Sequence, residues 1–241
     1  MRASLIIMLR QMDIRILQLV EGARASAGYT VIIDVFRAFS TACYVMGNGA
    51  QRLIITGSVE TARRMRQEQP GYVLIGERNE KKIPGFDFGN SPSSVKNIDF
   101  SGKTVVQTTS AGTQGIIHAV NASVIITGSF VNAGAIARYI KKERPDSLSL
   151  VCMGYAARRP VEEDTFCAEY IRNEIAGRPS DFEQMVRTIR LTSGKRFFLP
   201  ENIEHSPPDD FNLCLDLNRF DFILKARKTG TDQYELIKSV P

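Results

Sequence analysis

Short runs of β-branched and other apolar residues recur along the chain at positions 31–33, 53–56, 73–75, 104–106, 124–127 and 148–151. Continuous apolar runs of this length suit strands covered on both faces, whereas a strand with one wet face alternates apolar with polar. A further run at 5–9, flanked by Arg2 and Arg10, also reads as a strand. It falls far short of the roughly 20 residues a bilayer span needs, and it lacks the longer apolar stretch and cleavage site of an export signal. Segments of helical period lie between the runs. Positions 59–68 are amphipathic with Ser58 as N-cap, 114–120 and 133–142 are similar with Pro145 limiting the second, and 162–175 ends at Gly177. Helical patterns at 182–191 and 209–217 and a last strand at 222–225 complete the order.

Strands alternating with helices predict an α/β fold with a mostly parallel or mixed central sheet and helices on both faces. Segment 78–99 breaks the rhythm. Pro84, Gly85, Gly89, Asn90 and Pro92 leave it no period, while Phe86 and Phe88 predict an ordered loop that packs down. No Pro/Gly/Ser-rich linker divides the chain, so 1–241 reads as a single domain.

Composition narrows the partners. The net charge is +5, but the cations are interleaved with acids: Arg63, Arg64 and Arg66 with Glu60 and Glu68, and Lys141, Lys142 and Arg144 around Glu143. Such faces are solvated helix surfaces rather than a nucleic-acid stripe, and a mildly basic surface suits a small anionic substrate. Four scattered cysteines predict free, buried thiols in a cytoplasmic protein. Two histidines, His118 on the apolar side of a helix and His205 in a loop, supply neither the usual zinc site nor an expected general acid.

Ligands of open parallel sheets bind beyond the carboxyl ends of the strands, so the strand exits carry the candidate chemistry. Run 31–33 delivers Asp34, Arg37, Ser40 and Thr41; run 73–75 delivers Gly76, Glu77 and Arg78; run 104–106 delivers Thr108, Thr109, Ser110, Gly112 and Thr113. Run 124–127 delivers Gly128, Ser129 and Asn132, and run 148–151 delivers Cys152 and Gly154 with Glu162, Glu163 and Asp164 soon after. The 108–113 turn opens a helix, where free N–H groups favour an anion. Arg37 and Arg78 can grip phosphate oxygens. Asp34, Glu77 and Asp164 can hold Mg2+, a hard cation that prefers oxygen and helps in-line attack on phosphorus. Plainer readings stand beside these: Asp34 and Asp164 as helix-end acids, 108–113 as a capped turn, and Arg37 with Glu77 as a structural ion pair. Phosphate-loop, dinucleotide-fold and nucleophile-elbow signatures are missing.

In order, the motifs are Ile33-Asp34-Val35-Phe36-Arg37-Ala38, Gly76-Glu77-Arg78, Gly85-Phe86-Asp87-Phe88-Gly89-Asn90-Ser91-Pro92, Thr108-Thr109 with Gly112-Thr113, Gly128-Ser129-Phe130-Val131-Asn132-Ala133 and Glu163-Asp164. From about Val31 to the C-terminus the chain thereby resembles the 2-phosphosulfolactate phosphatase family. The resemblance implies a three-layer α/β/α fold and Mg2+-dependent hydrolysis of 2-phospho-3-sulfolactate to sulfolactate and phosphate, a step of coenzyme M biosynthesis. It also implies that loop 78–99 belongs to the active site, with Asn90 and Ser91 near substrate. The expected catalytic residues are Asp34, Arg37, Glu77 and Asp164. Arg78, Asn90, Ser91, Thr109, Ser110, Gly112, Thr113, Ser129 and Asn132 are expected at the substrate, and attack by water or by Asp34 stays open. Three positions depart from the family pattern: the 108–113 turn is one residue longer, Met153 replaces a small residue, and Glu169 replaces a glycine and is expected to add negative charge near the pocket. A cytoplasmic homodimer without membrane or nucleic-acid partner is expected. The alternative is a non-catalytic binder of a phosphorylated or sulfonated metabolite.

Overall fold

A computed structural model describes residues 12–241, so the apolar run at 5–9 lies outside the described residues. The other runs form strands. Run 31–33 is the core of β2 (Gly28–Ile33), and the next runs lie in β3 (Arg52–Thr56), β4 (Val73–Arg78), β6 (Thr104–Thr108), β7 (Ala122–Gly128) and β8 (Ser147–Cys152). Three strands lack a continuous run: β1 (Asp13–Gln18), the two-residue β5 (Lys81–Lys82) and β10 (Gln233–Ser239). The last predicted strand is β9 (Ile223–Lys228), which extends three residues further than expected. The sheet order is β1-β8-β2-β7-β9-β10-β3-β6-β4-β5. Pairs β1/β8, β8/β2, β2/β7, β3/β6 and β6/β4 are parallel, and β7/β9, β9/β10, β10/β3 and β4/β5 are antiparallel.

Helices cover both faces, giving three α/β/α layers; the short α1 (Leu19–Ala25) follows β1 and the one-turn α4 (Pro92–Val95) lies within loop 78–99. Successive β2 residues show why the strand is apolar throughout. Val31 and Ile33 pack with Ile136, Ile140, Cys167 and Ile171 of α6 (Ala133–Glu143) and α7 (Glu162–Ala176). Ile32 packs on the other face with Phe39 and Ile116 of α2 (Ala38–Gly47) and α5 (Gly112–His118). In β3, β4 and β6, Ile54, Leu74 and Val106 lie against Ala62 of α3 (Val59–Glu68), whose Ser58 accepts the Thr61 N–H as predicted. Helix α7 opens with Glu162, Glu163 and Asp164 and stops at Gly177 in the left-handed region, as expected of a helix C-terminus. The helical pattern at 182–191 is α8 (Phe182–Leu191), and the one at 209–217 is the shorter α9 (Pro208–Cys214). All four cysteines are free and buried.

The antiparallel β9–β10 hairpin sits in the middle of the sheet and separates two parallel halves that run in opposite senses. The carboxyl ends of β2 and β4 nonetheless meet at one cleft, lined by Asp34 and Glu77. Six strand-to-strand steps separate β2 from β4, and a twist of roughly 20–25° per step rotates one against the other by about 120–150°. Helix α5 then leaves β6 in one half and packs on β2 in the other. Close approach is possible because Gly112 and Gly115 carry no side chain: a Cβ on Gly115 would lie 2.5 Å from Ile32 Cγ2 and from Met153 Sδ. Met153 is thus a packing partner of α5, fully buried. Loop 78–99 is ordered, with Phe86 buried and Phe88 edge-on to Phe100.

Gly115→Ala is expected to overpack this contact and cost about 1–3 kcal/mol. Thermal unfolding reads this out as a fall of a few degrees for a chain of this size; an unchanged midpoint would show that α5 does not need so close an approach.

Candidate functional site

Below the end of β2 the chain turns at Asp34, whose Oδ1 accepts the Ala38 N–H at the start of α2 (3.1 Å). Glu77, on β4, is held from the opposite side. Its Oε1 accepts the Ser110 N–H (2.7 Å), and its Oε2 accepts the Ser110 hydroxyl (3.1 Å) and the Glu80 N–H (3.0 Å). Both carboxylates are buried and both line a cleft of ≈ 140 Å³. The two-residue turn Asn79-Glu80 between β4 and β5 has positive φ at both positions, the geometry that matches hairpin twist. It aims Glu80 at Arg196, which it meets at 2.9 Å.

Arg37 enters the cleft from β2 and is fixed by residues distant in sequence. Its Nη1 donates to the His205 carbonyl (2.8 Å) and to Asp210 Oδ2 (2.6 Å), with both side chains of the ion pair buried. Asp210 Oδ1 accepts the Ser91 hydroxyl and the Ser93 N–H, each at 2.9 Å. One carboxylate on α9 therefore ties Arg37 to the loop that carries Asn90. Asn90 lines the cleft and accepts from Gln107 Nε2 (3.3 Å). Ser91 lines an adjoining basin of ≈ 520 Å³ together with Arg37, Asn90, Lys81 and Lys82.

Asp164 supports the floor. Its Oδ1 accepts the Val35 N–H (2.9 Å) and its Oδ2 the Gly154 N–H (2.8 Å), so it joins the exits of β2 and β8. Burial, with Glu163 and Asp34 close by, pushes the Asp164 carboxyl well above the ordinary range. Asp34 rises from 3.8 to about 6, chiefly through burial and secondarily through Glu77 and Glu163, against the pull of the Ala38 and Gly112 N–H groups.

Residues 15–229 match the family described as 2-phosphosulpholactate phosphatase. The chain belongs to the 2-phosphosulfolactate phosphatase family. A probable 2-phosphosulfolactate phosphatase of Caldanaerobacter subterraneus subsp. tengcongensis is 37% identical over 217 residues, spanning 82% of this chain and 87% of that protein. One from Bacillus subtilis is 28% identical over 207 residues, spanning 86% and 90%. One from Caldicellulosiruptor saccharolyticus is 41% identical over 146 residues, which is 59% of this chain and 60% of the relative. The alignment to a Thermotoga petrophila relative spans 56% of that protein, so these two matches cover less than two thirds of the relatives' lengths.

The motifs that carry the family resemblance divide in space. Asp34, Arg37, Glu77, Asn90 and Ser110 come together at the cleft, with Gly112 beneath it, where its Cβ position lies 2.8 Å from Asp34 Oδ2. Arg78 does not join them. Neighbours on a strand face opposite ways, so with Glu77 in the cleft Arg78 turns behind β4, where it donates to Thr108 Oγ1 (2.9 Å). Thr109 and Thr113 are engaged with each other, the Thr109 N–H donating to Thr113 Oγ1 (3.2 Å) and the Thr113 hydroxyl to the Thr109 carbonyl (2.8 Å). Ser129 and Asn132 form a capping box, and the Ser129 hydroxyl also meets that of Ser40 at 2.6 Å. The 108–113 turn therefore differs from the expected anion cradle: the amides of Ser110 and Gly112 hold the protein's own Glu77 and Asp34. Glu169 lies partly buried on α7 and is not among the cleft's lining residues, so the expected charge is not delivered there. The sequence reading missed Glu80, Tyr155, Arg158, Arg196 and Asp210. Among these, Asp210, the second acid after Pro207-Pro208 at a helix start, carries the one local signal.

Among the described residues, no group of three or more His, Cys, Asp or Glu side chains is placed to hold a metal ion. Asp164, with an N–H on each oxygen, fits a supporting role better than that of a ligand. Of the three expected ligands Asp34 and Glu77 remain, the third lining carboxylate, Glu80, being paired with Arg196, and that donor set fits Mg2+, which commonly takes one or two carboxylates with waters and phosphate oxygens. Among the described residues no helix is long and apolar enough to cross a membrane.

The Asp34 shift has a thermodynamic consequence. Between 3.8 and about 6 the folded chain retains a proton that the unfolded chain has released, so rising pH costs stability across that window. Asp34→Asn should match the wild type near pH 4 and exceed it by roughly 1–3 kcal/mol at pH 8, in chelator. Urea melts across pH measure the gap; a gap of constant size, or of opposite sign, would contradict the buried-charge account.

Proposed function

We propose that this chain is a phosphatase that hydrolyses the phosphate monoester of a small acidic 2-hydroxy acid, with 2-phospho-3-sulfolactate as substrate and Mg2+ as cofactor. The observation that carries the reading is the pair of buried carboxylates, Asp34 and Glu77, facing arginines across a small cleft. Two acids buried at one cleft repel each other, and a divalent cation held by both would relieve that repulsion.

In this scheme Asp34 and Glu77 hold the ion, and Ser110 fixes the Glu77 carboxylate through two hydrogen bonds. Bound Mg2+ polarises the phosphoryl group and offsets its charge. Arg37 is pinned through Nη1 by Asp210 and the His205 carbonyl, while its Nη2 has only the Glu80 carbonyl at 3.5 Å and can turn to a phosphoryl oxygen. A guanidinium fixed in advance loses little freedom on meeting the developing charge. Asn90 adds an amide at the same wall. Asp34 is ionised above about 6 and can then keep the ion or take a proton from the attacking group. Placement in coenzyme M biosynthesis and in the cytoplasm, as a homodimer, is part of the same proposal.

Phosphate release from 2-phospho-3-sulfolactate is expected to stop in EDTA, to return with Mg2+, and to fall at least about 100-fold in Asp34→Asn. Undiminished turnover under both conditions would refute the scheme. Tight binding of the ester without turnover at any Mg2+ concentration would favour a binding protein instead.

A further inference from the structure

The cleft lies beside three arginines, and two of them already have carboxylate partners: Arg37 pairs with Asp210 and Arg196 with Glu80. Arg158 differs. It lines the cleft at its exposed rim and has no hydrogen-bonded or ion-paired side chain among the described residues. Asp34 and Glu77 leave their charge for the metal, so Arg158 is the lining cation that carries charge available to a further anion.

The segment that carries it has an unusual backbone tied down by hydrogen bonds. After β8, Gly154, Ala156 and Ala157 all have positive φ, and for two successive alanines the Cβ makes that conformation costly. The turn is held by the Tyr155 N–H donating to the Arg159 carbonyl (2.8 Å), the Arg158 N–H donating to the Tyr155 carbonyl (3.0 Å), and the Gly154 N–H donating to Asp164. The Tyr155 ring is also flanked by the Arg159 and Arg196 guanidiniums, at 5.6 and 5.3 Å. Strained backbone of this kind persists where surrounding contacts over-determine it, and it gathers at ligand sites. Here its result is to present one unpaired guanidinium over the cleft.

We propose that Arg158 binds the second acidic group of the substrate, the carboxylate or sulfonate that distinguishes a phosphorylated hydroxy acid from a simple phosphate ester. The assignment rests on the phosphatase reading above and adds to it the residue that selects the tail. With the phosphoryl group at Asp34 and Glu77, the tail of a three-carbon acid extends towards the rim. Guanidinium matches the paired oxygens of either group by two parallel N–H bonds. Neutral-tailed esters gain nothing from it, so Arg158 sets preference rather than chemistry.

The test compares full-length wild type with R158Q and R158K on 2-phospho-3-sulfolactate and on glycerol 2-phosphate. R158Q is expected to lower kcat/KM for the acidic ester about 10- to 100-fold more than for glycerol 2-phosphate, mainly through KM, with R158K recovering part of the difference. Equal losses on both esters, or no loss, would overturn the assignment. Calorimetry with 3-sulfolactate decides the point even if neither ester is turned over, an outcome that would count against the phosphatase reading alone. Binding at least tenfold weaker to R158Q supports the role of Arg158; equal affinity, or no binding to wild type, overturns it.

Discussion

A single buried carboxylate holds the two walls of the cleft at their meeting point. Asp164 takes the Val35 N–H on one oxygen and the Gly154 N–H on the other, fastening the exit of β2 to that of β8. Its place at the first turn of α7 suits a negative charge. Burial and the neighbouring Glu163 and Asp34 work against that charge. The floor therefore gathers several acids in a water-poor place, with backbone amides as partial compensation. Asp34 keeps the remaining mismatch, and its raised pKa records it.

Opposed strand directions would ordinarily put the carboxyl ends of the two half-sheets at opposite edges. Twist accumulated through the central β9–β10 hairpin, and an α5 helix stripped of side chains at Gly112 and Gly115, bring them to one place. Function then depends on long-range ties. Arg37 leans on Asp210, and Glu80 leans on Arg196, so the cleft is braced at two places by the last quarter of the chain.

These ties mark the boundary of what the sequence discloses. Runs of buried residues such as 31–33 and 148–151 announce strands because each face has its own helix layer. Helix α2 announces nothing: every residue from Ala38 to Met46 is buried, so no polar face gives it a period. Edge strand β1 and the final strand β10 mix polar with apolar positions and escape a search for continuous runs. At the site, Asp34, Arg37, Glu77 and Asn90 are legible because strand exits and the family motifs name them. Pleating, which residue type does not show, sends Arg78 away from the cleft, and Thr109, Thr113, Ser129 and Asn132 engage their own turns, where hydroxyls and amides resemble those that bind ligands. Arg196 sits in no motif that local spacing can interpret, and Asp210 offers only its place in the first turn of a helix that begins at Pro208.

Repulsion between the Asp34 and Glu77 carboxylates, with its proposed relief by a divalent cation, is tested most directly by thermal unfolding against Mg2+ concentration, without substrate. A cation that binds only the folded chain raises the midpoint progressively with concentration. The wild-type protein is expected to show that rise, and Asp34→Asn, whose midpoint in chelator at neutral pH is expected to be higher from the outset, to lose it. A midpoint indifferent to Mg2+, or raised equally in both proteins, would contradict the proposed relief.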